Sequence, residues 1–120
     1  PALRQMLESI ASSGLASPLA VLKRMGSGRA GFLSFPMEGY TLAVDFPNRP
    51  EARDLIRRLE AMTAAADGRL YFAKDSLARG AEVRAMYPEL DDWRRVVDTT
   101  DPGRHLLTDM VRRLNLRSPQ

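Results

Sequence analysis

The run Tyr40-Thr41-Leu42-Ala43-Val44-Asp45-Phe46 alternates apolar and small or polar residues with a period of two, the pattern of a strand with two unlike faces. Tyr40, Leu42, Val44 and Phe46 share the face expected to be core. Thr41, Ala43 and Asp45 share the other, which suits solvent or the floor of a ligand site. Met37-Glu38-Gly39 reads as a turn and Phe32-Leu33-Ser34-Phe35-Pro36 as the preceding strand, giving a β-hairpin. A third strand is expected at Arg69-Leu70-Tyr71-Phe72-Ala73. There Leu70 and Phe72 face one way and Tyr71 and Ala73 the other, with Lys74-Asp75-Ser76 emerging at its end.

Helical patterns surround these strands. A first helix breaks at Ser12-Ser13-Gly14, and a second is expected to open at Ser17 as N-cap with Pro18 at its first position. Residues 51–66 carry the stripe Leu55, Ile56, Leu59 and Met62, closed by Gly68. The last third reads as helices over about 77–86, 89–98 and 104–115, punctuated by Pro88 and Asp101-Pro102-Gly103. The expected architecture is α+β: a small antiparallel or mixed sheet, a hairpin plus a third strand, packed with helices and followed by a helical C-terminal tail. Trp93 and Tyr87 are expected to pack, and His105, just after a DPGR turn, to cap or lie at the surface.

Composition narrows the chemistry. The 120 residues contain no cysteine and one histidine, which removes disulfides, thiolate catalysis and Cys- or His-rich metal sites, so no metal site is expected. A net charge of +3 is a weak field for a whole domain, and acidic residues sit beside most arginines, so no nucleic-acid partner is expected. No apolar run has the length of a membrane span, and Arg4 and Glu8 interrupt the start where a signal peptide needs an apolar core. A cytoplasmic location is therefore expected.

Of the 18 basic residues, 16 are arginine and only Lys23 and Lys74 are lysine. Where a solvated positive charge suffices, this chain uses arginine; a retained lysine marks a place where a compact ammonium differs from a planar fork. Lys74 and Asp75 join Tyr71, Thr41 and Asp45 in a polar constellation at strand ends, where binding groups are commonly placed. A lysine beside a tyrosine can stabilise developing negative charge or move a proton. The alternative from pattern alone is a Lys74–Asp75 surface turn with Tyr71 packed on a helix. The loop Gly26-Ser27-Gly28-Arg29 follows a helical pattern and precedes a strand, the reverse of a dinucleotide fingerprint.

The strings VLKRMGSGRAGFLSFPMEGYTLAVDFP, GRLYFAKDS, MYPELDDW and DPGRHLLTDMVRRLNL, in that order, resemble the C-terminal portion of FAD-linked oxidases of the vanillyl-alcohol oxidase superfamily. The likeness is greatest to the decaprenylphosphoryl-β-D-ribose oxidase group and runs from about Ser17 to Leu116. It implies that residues 1–68 end a substrate-binding domain and that residues 69–120 return to complete an FAD-binding domain. The N-terminal FAD-binding half lies outside this chain, so the chain is a fragment of a longer enzyme, inactive by itself and without its FAD.

By the same resemblance Lys74 is the catalytic lysine near the flavin and Tyr71 the tyrosine beside it. Lys23, Thr41, Ala43 and Asp45 belong to the substrate pocket. The implied reaction is hydride transfer from a sugar or alcohol carbon to FAD. The implied partners are a sugar or polyprenyl-phosphoryl-sugar substrate and a separate NAD-dependent reductase in the pathway. Ala43, Thr41 and Tyr40 depart from the Cys, Asn and Trp of the ribose oxidases, which leaves open a polyprenyl-phosphoryl ribose, another sugar or a sugar lactone. The competing reading is a stand-alone α+β ligand-binding or protein-interaction module without catalysis.

Overall fold

The computed structural model describes residues 2–15, 17–28 and 30–117, and Arg29 of the glycine loop lies outside them. Its elements run α1 (Ala2–Ser13), β1 (Ala20–Met25), β2 (Gly39–Val44), α2 (Pro50–Ala65), α3 (Gly80–Met86), α4 (Leu90–Thr100) and α5 (Asp109–Arg113). This is an α+β arrangement with a helical C-terminal part. α1 ends at the expected break, where the Ser13 hydroxyl donates to the Ile10 carbonyl (2.7 Å) and accepts from the Leu15 N–H (3.1 Å), and Gly14 takes φ +63°. α1 packs on α2 and buries Ile10.

β2 forms where the alternation placed it, but its partner is a different segment. β1 pairs antiparallel with β2 in the register Val21↔Ala43, Leu22↔Leu42 and Lys23↔Thr41, and β1 occupies the stretch expected as a second helix. The local signal that misleads is real: the Ser17 hydroxyl accepts the Leu19 N–H (3.0 Å), the bond an N-cap would accept. That bond fixes only one turn, and pairing with β2 then holds the chain extended. Phe32–Pro36 is irregular rather than a strand, because its groups serve another part of the molecule. Leu33 packs against the C-terminal core, and the Ser34 carbonyl accepts from Arg69 Nη1 (3.0 Å).

The face expected to be core is not buried. Tyr40 is 64% exposed, and Leu42, Val44 and Phe46 are only half-buried, as are Thr41 and Ala43 on the opposite face. The third strand is also absent among the described residues. The Leu70 carbonyl accepts the Tyr87 hydroxyl (2.8 Å) and the chain turns over Phe72–Lys74, so this segment gives its backbone to the helical layer and not to a ladder.

α2 matches its expected stripe and begins with Pro50 in the first turn, behind an Asn48 side chain that accepts from Arg53 Nη2 (2.8 Å). Its end is a Schellman-like turn: Asp67 takes φ +53°, and the Gly68 N–H donates to the Thr63 carbonyl (2.8 Å). A Cβ on Gly68 would lie 2.8 Å from Thr63 Cγ2, so glycine is required there by the close approach.

The core lies C-terminally. Ala78, Val83, Met86, Tyr87, Leu90, Leu114 and Leu116 form one buried cluster, with Leu33, Ala64, Leu70, Phe72, Trp93 and Val111 packed against it. Tyr87 and Trp93 are thus packing residues as expected. The last expected helix is shorter than its pattern, since residues 104–108 have no regular structure and α5 begins only after Thr108, whose hydroxyl accepts the Val111 N–H (3.2 Å).

Two buried arginines hold the chain end. Arg94 donates to the carbonyls of Leu116 (2.6 Å) and Asn115 (2.7 Å), and Arg117 pairs with Asp98 (2.9 Å) and Asp101 (2.7 Å). The Asp101 carboxylate also accepts the N–H groups of Leu106 and His105, and these bonds, with Arg117, hold its carboxyl below the usual range. His105 itself is exposed and contributes only that backbone bond. Among the described residues no helix is long and apolar enough to cross a membrane.

Candidate active site

The β1–β2 register puts Lys23 directly opposite Thr41, and Val21 opposite Ala43, so Lys23, Thr41 and Ala43 share one face of the ribbon. Lys23 is exposed there, with Thr41 and Ala43 half-buried beneath it. Asp45 lies just past the end of β2, exposed, and its carbonyl accepts the Ser17 N–H (3.1 Å).

Tyr71 and Lys74 form a second group on one turn, closed by the Lys74 N–H donating to the Tyr71 carbonyl (3.0 Å). Both side chains are exposed, Tyr71 by 52%. The connection between the strands joins the two groups: the Phe35 ring lies 5.1 Å from that of Tyr71, and Ser34 is held by Arg69. Arg69 in turn lies over the Tyr87 ring, 5.0 Å from its centre. The loop between the ribbon strands is thereby docked on the segment that leads to Lys74.

The two lysines differ from the arginines in use. Every ion pair among the described residues is made by an arginine, whereas Lys23 and Lys74 are exposed and have no side-chain partner among those residues. Asp75 behaves oppositely to its neighbour. Its side chain is 3% exposed, accepting from the Leu77 (3.1 Å) and Ala78 (2.8 Å) N–H groups and pairing with Arg113 (2.7 Å). The expectation of an exposed Lys74–Asp75 turn therefore holds for the lysine alone.

A family model described as D-arabinono-1,4-lactone oxidase matches residues 3–114. The chain belongs to that family. It is 39% identical over 115 residues to an uncharacterized protein in the mprA 5' region of Streptomyces coelicolor, covering 95% of this chain and 31% of that protein. It is 37% identical over 113 residues to a decaprenylphosphoryl-beta-D-ribose oxidase of Mycolicibacterium smegmatis, covering 94% of this chain and 25% of that protein. The chain thus spans a quarter to a third of the length of these relatives. Membership of an FAD-linked oxidase family, of which this is C-terminal sequence, agrees with the resemblance carried by the YFAKDS and MYPELDDW strings.

Sequence reasoning missed one buried acid. Glu60 on α2 is 6% exposed, and its Oε2 has no hydrogen-bond partner among the described residues. Burial, reinforced by Glu82 and Asp75 and opposed by Arg57 and Arg113, pushes its carboxyl up to about 7. The signal was present in the sequence: Glu60 falls four residues after Ile56, within the apolar stripe of α2. A shallow groove along α4, lined by Asp91, Arg94, Arg95, Asp98 and Thr99, contains none of the expected site residues. Among the described residues no group of acidic or histidine side chains is arranged to hold a metal ion.

Proposed function

We propose that this chain is the C-terminal part of an FAD-dependent oxidoreductase that oxidises a sugar or alcohol hydroxyl by hydride transfer. Residues 1–68 end its substrate-binding domain and residues 69–120 form the returning segment of its FAD-binding domain. The observation that carries the reading is the free, exposed Lys74 ammonium beside Tyr71, in a family member that otherwise uses arginine for its ion pairs. An unpaired compact cation on the same turn as an exposed tyrosine fits the polar edge of a flavin, where negative charge collects on reduction.

Bound FAD would supply the acceptor for the hydride removed from the substrate carbon. Lys74 offers a positive charge that needs no reorganisation as negative charge develops, and Tyr71 presents its ring and hydroxyl alongside. On the ribbon, Lys23 and Thr41 offer a cation and a hydroxyl to a polar or anionic substrate group, while Ala43 leaves room and Asp45 accepts from sugar hydroxyls. The mycolicibacterial relative's name points to a polyprenyl-phosphoryl sugar, and the family description points to a sugar lactone. Lys23 suits a phosphate or ring oxygen in either.

The test uses the full-length enzyme. Lys74→Ala lowers the rate of flavin reduction in single turnover roughly 10²–10³-fold with flavin content retained, and Lys74→Arg fails similarly because the planar fork is not a compact ammonium. Lys23→Ala raises the apparent substrate constant more than it lowers turnover. Wild-type flavin reduction by Lys74→Arg overturns the assignment. The 120-residue chain alone takes up no FAD, and a stoichiometric yellow complex on titration would sink the fragment reading.

A further inference from the structure

Lys74 stands on a four-carbon stem with no partner for its ammonium among the described residues, so its position is set by the backbone beneath it. That backbone is tied down on its C-terminal side with unusual completeness. Asp75 Oδ1 accepts two N–H groups, from Leu77 and Ala78, and Oδ2 accepts from Arg113 Nη2 at 2.7 Å. Arg113 Nη1 donates in turn to the Ala78 carbonyl (2.9 Å), closing a ring of bonds between α5 and the residue after the lysine.

The approach that allows this is tight. A Cβ on Gly80 would lie 2.4 Å from the Leu114 carbonyl oxygen, so glycine lets the end of α5 cross the start of α3 and bring Arg113 to Asp75. Leu114 is fully buried at the same crossing.

We propose that Arg113 and Asp75 form a positioning clamp for Lys74: Arg113 engages the adjacent carboxylate, fixes the turn, and leaves the lysine ammonium free to face the flavin. This rests on the flavin reading of Lys74. Arg113 and Asp75 are positioning residues and touch neither substrate nor cofactor. Without Arg113, Asp75 Oδ2 loses its partner, and the nearest remaining cation in sequence is Lys74 itself. Capture of that ammonium by Asp75 would neutralise and misplace the group, and small displacements of a reacting group are costly to rate.

The chain's own composition supplies the readout. Reductive methylation with ¹³C labels only two lysines, Lys23 and Lys74, giving two lysine signals by NMR without any cofactor. Arg113→Gln shifts the Lys74 signal and leaves that of Lys23 in place. Asp75→Asn, which keeps the carbonyl oxygen for the Leu77 and Ala78 N–H groups, also shifts it and serves where Arg113→Gln does not fold. In the full-length enzyme Arg113→Gln slows flavin reduction about tenfold at saturating substrate, with flavin content and the substrate constant retained.

Adding Asp75→Asn to Arg113→Gln restores part of the rate, because no free carboxylate remains to capture the lysine; loss of structural support alone would make the double variant no better. A Lys74 signal at its wild-type position in both single variants, or a double variant no faster than Arg113→Gln, overturns the clamp. Lys74→Ala is the control that separates the two ideas. If it reduces flavin normally, the flavin reading fails; if it is crippled while the Arg113 and Asp75 variants reduce flavin normally, the clamp fails alone.

Discussion

The ribbon and the C-terminal layer both carry apolar sequence, yet they bury it very differently. From Ala78 to Leu116 seven hydrophobic residues form one buried cluster, and the polar residues buried with it at Arg94, Asp101 and Arg117 are all hydrogen-bonded. In β1 and β2 no described residue is buried, and Leu19, Val21, Leu22 and Tyr40 are exposed by 62%, 37%, 49% and 64%. A two-stranded ribbon is marginal in water without a covering layer. The comparison teaches that one region carries its own core, whereas the strands of the other bury none of their described residues within this chain.

The contrast can be broken most directly in the core. Leu90 is 1% exposed inside the cluster, and Leu90→Ala is expected to destabilise the chain by about 2–5 kcal/mol, read from denaturant midpoints. A loss below about 1 kcal/mol would mean that the cluster is no tighter than the ribbon.

What the sequence revealed follows the same division. α1, β2, α2 and the helical last third were legible because each carries a periodic pattern with local punctuation: the Ser-Ser-Gly break, the alternation from Tyr40, and the stripe closed at Gly68. β1 was not legible, because Ser17 makes a cap-like bond and the helix-compatible residues after it are overruled by pairing with β2 across the connection 26–38. The third strand was misread because alternation at Leu70 and Phe72 records burial against Tyr87, not a ladder.

The substrate-pocket group expected from the resemblance is Lys23, Thr41, Ala43 and Asp45; the register puts the first three on one face and Asp45 lies just past the end of β2, while Lys74 and Tyr71 share a turn. The Arg113 bond to Asp75 was not legible, since nothing local marks two residues so far apart in sequence as partners.

A second break uses pH at the junction between α2 and the C-terminal layer. Glu60 is ordinary when unfolded, near 4.5, and is raised to about 7 when folded, so the folded chain binds more protons than the unfolded chain between those values. Its contribution is therefore fully present below about pH 4.5 and is lost as pH rises through about 7. Tm should fall by on the order of 5 °C across that interval, and Glu60→Gln, which cannot ionise, should flatten the slope. Asp101 acts with the opposite sign: its lowered carboxyl contributes above the ordinary aspartate range and is lost as pH falls through the lowered value. An unchanged slope in Glu60→Gln would show that the buried acid is not what makes this junction sensitive to pH.

The smallest effect is the most telling for the ribbon. Leu22 is half exposed and pairs across the ladder with Leu42, so Leu22→Thr removes little buried apolar area while keeping a good strand former. In the 120-residue chain the cost should stay within about 0.5 kcal/mol, as for other surface substitutions. In the full-length enzyme, if the rest of the substrate-binding domain packs on this face, the same substitution places a hydroxyl against apolar neighbours and should cost about 1–3 kcal/mol. The difference between the two hosts, measured by denaturant titration of each, reads how much of the ribbon's core lies outside this chain. Equal and small costs in both would leave the ribbon as solvent-facing surface, and the division between a self-sufficient layer and a borrowed one would then have no basis in packing.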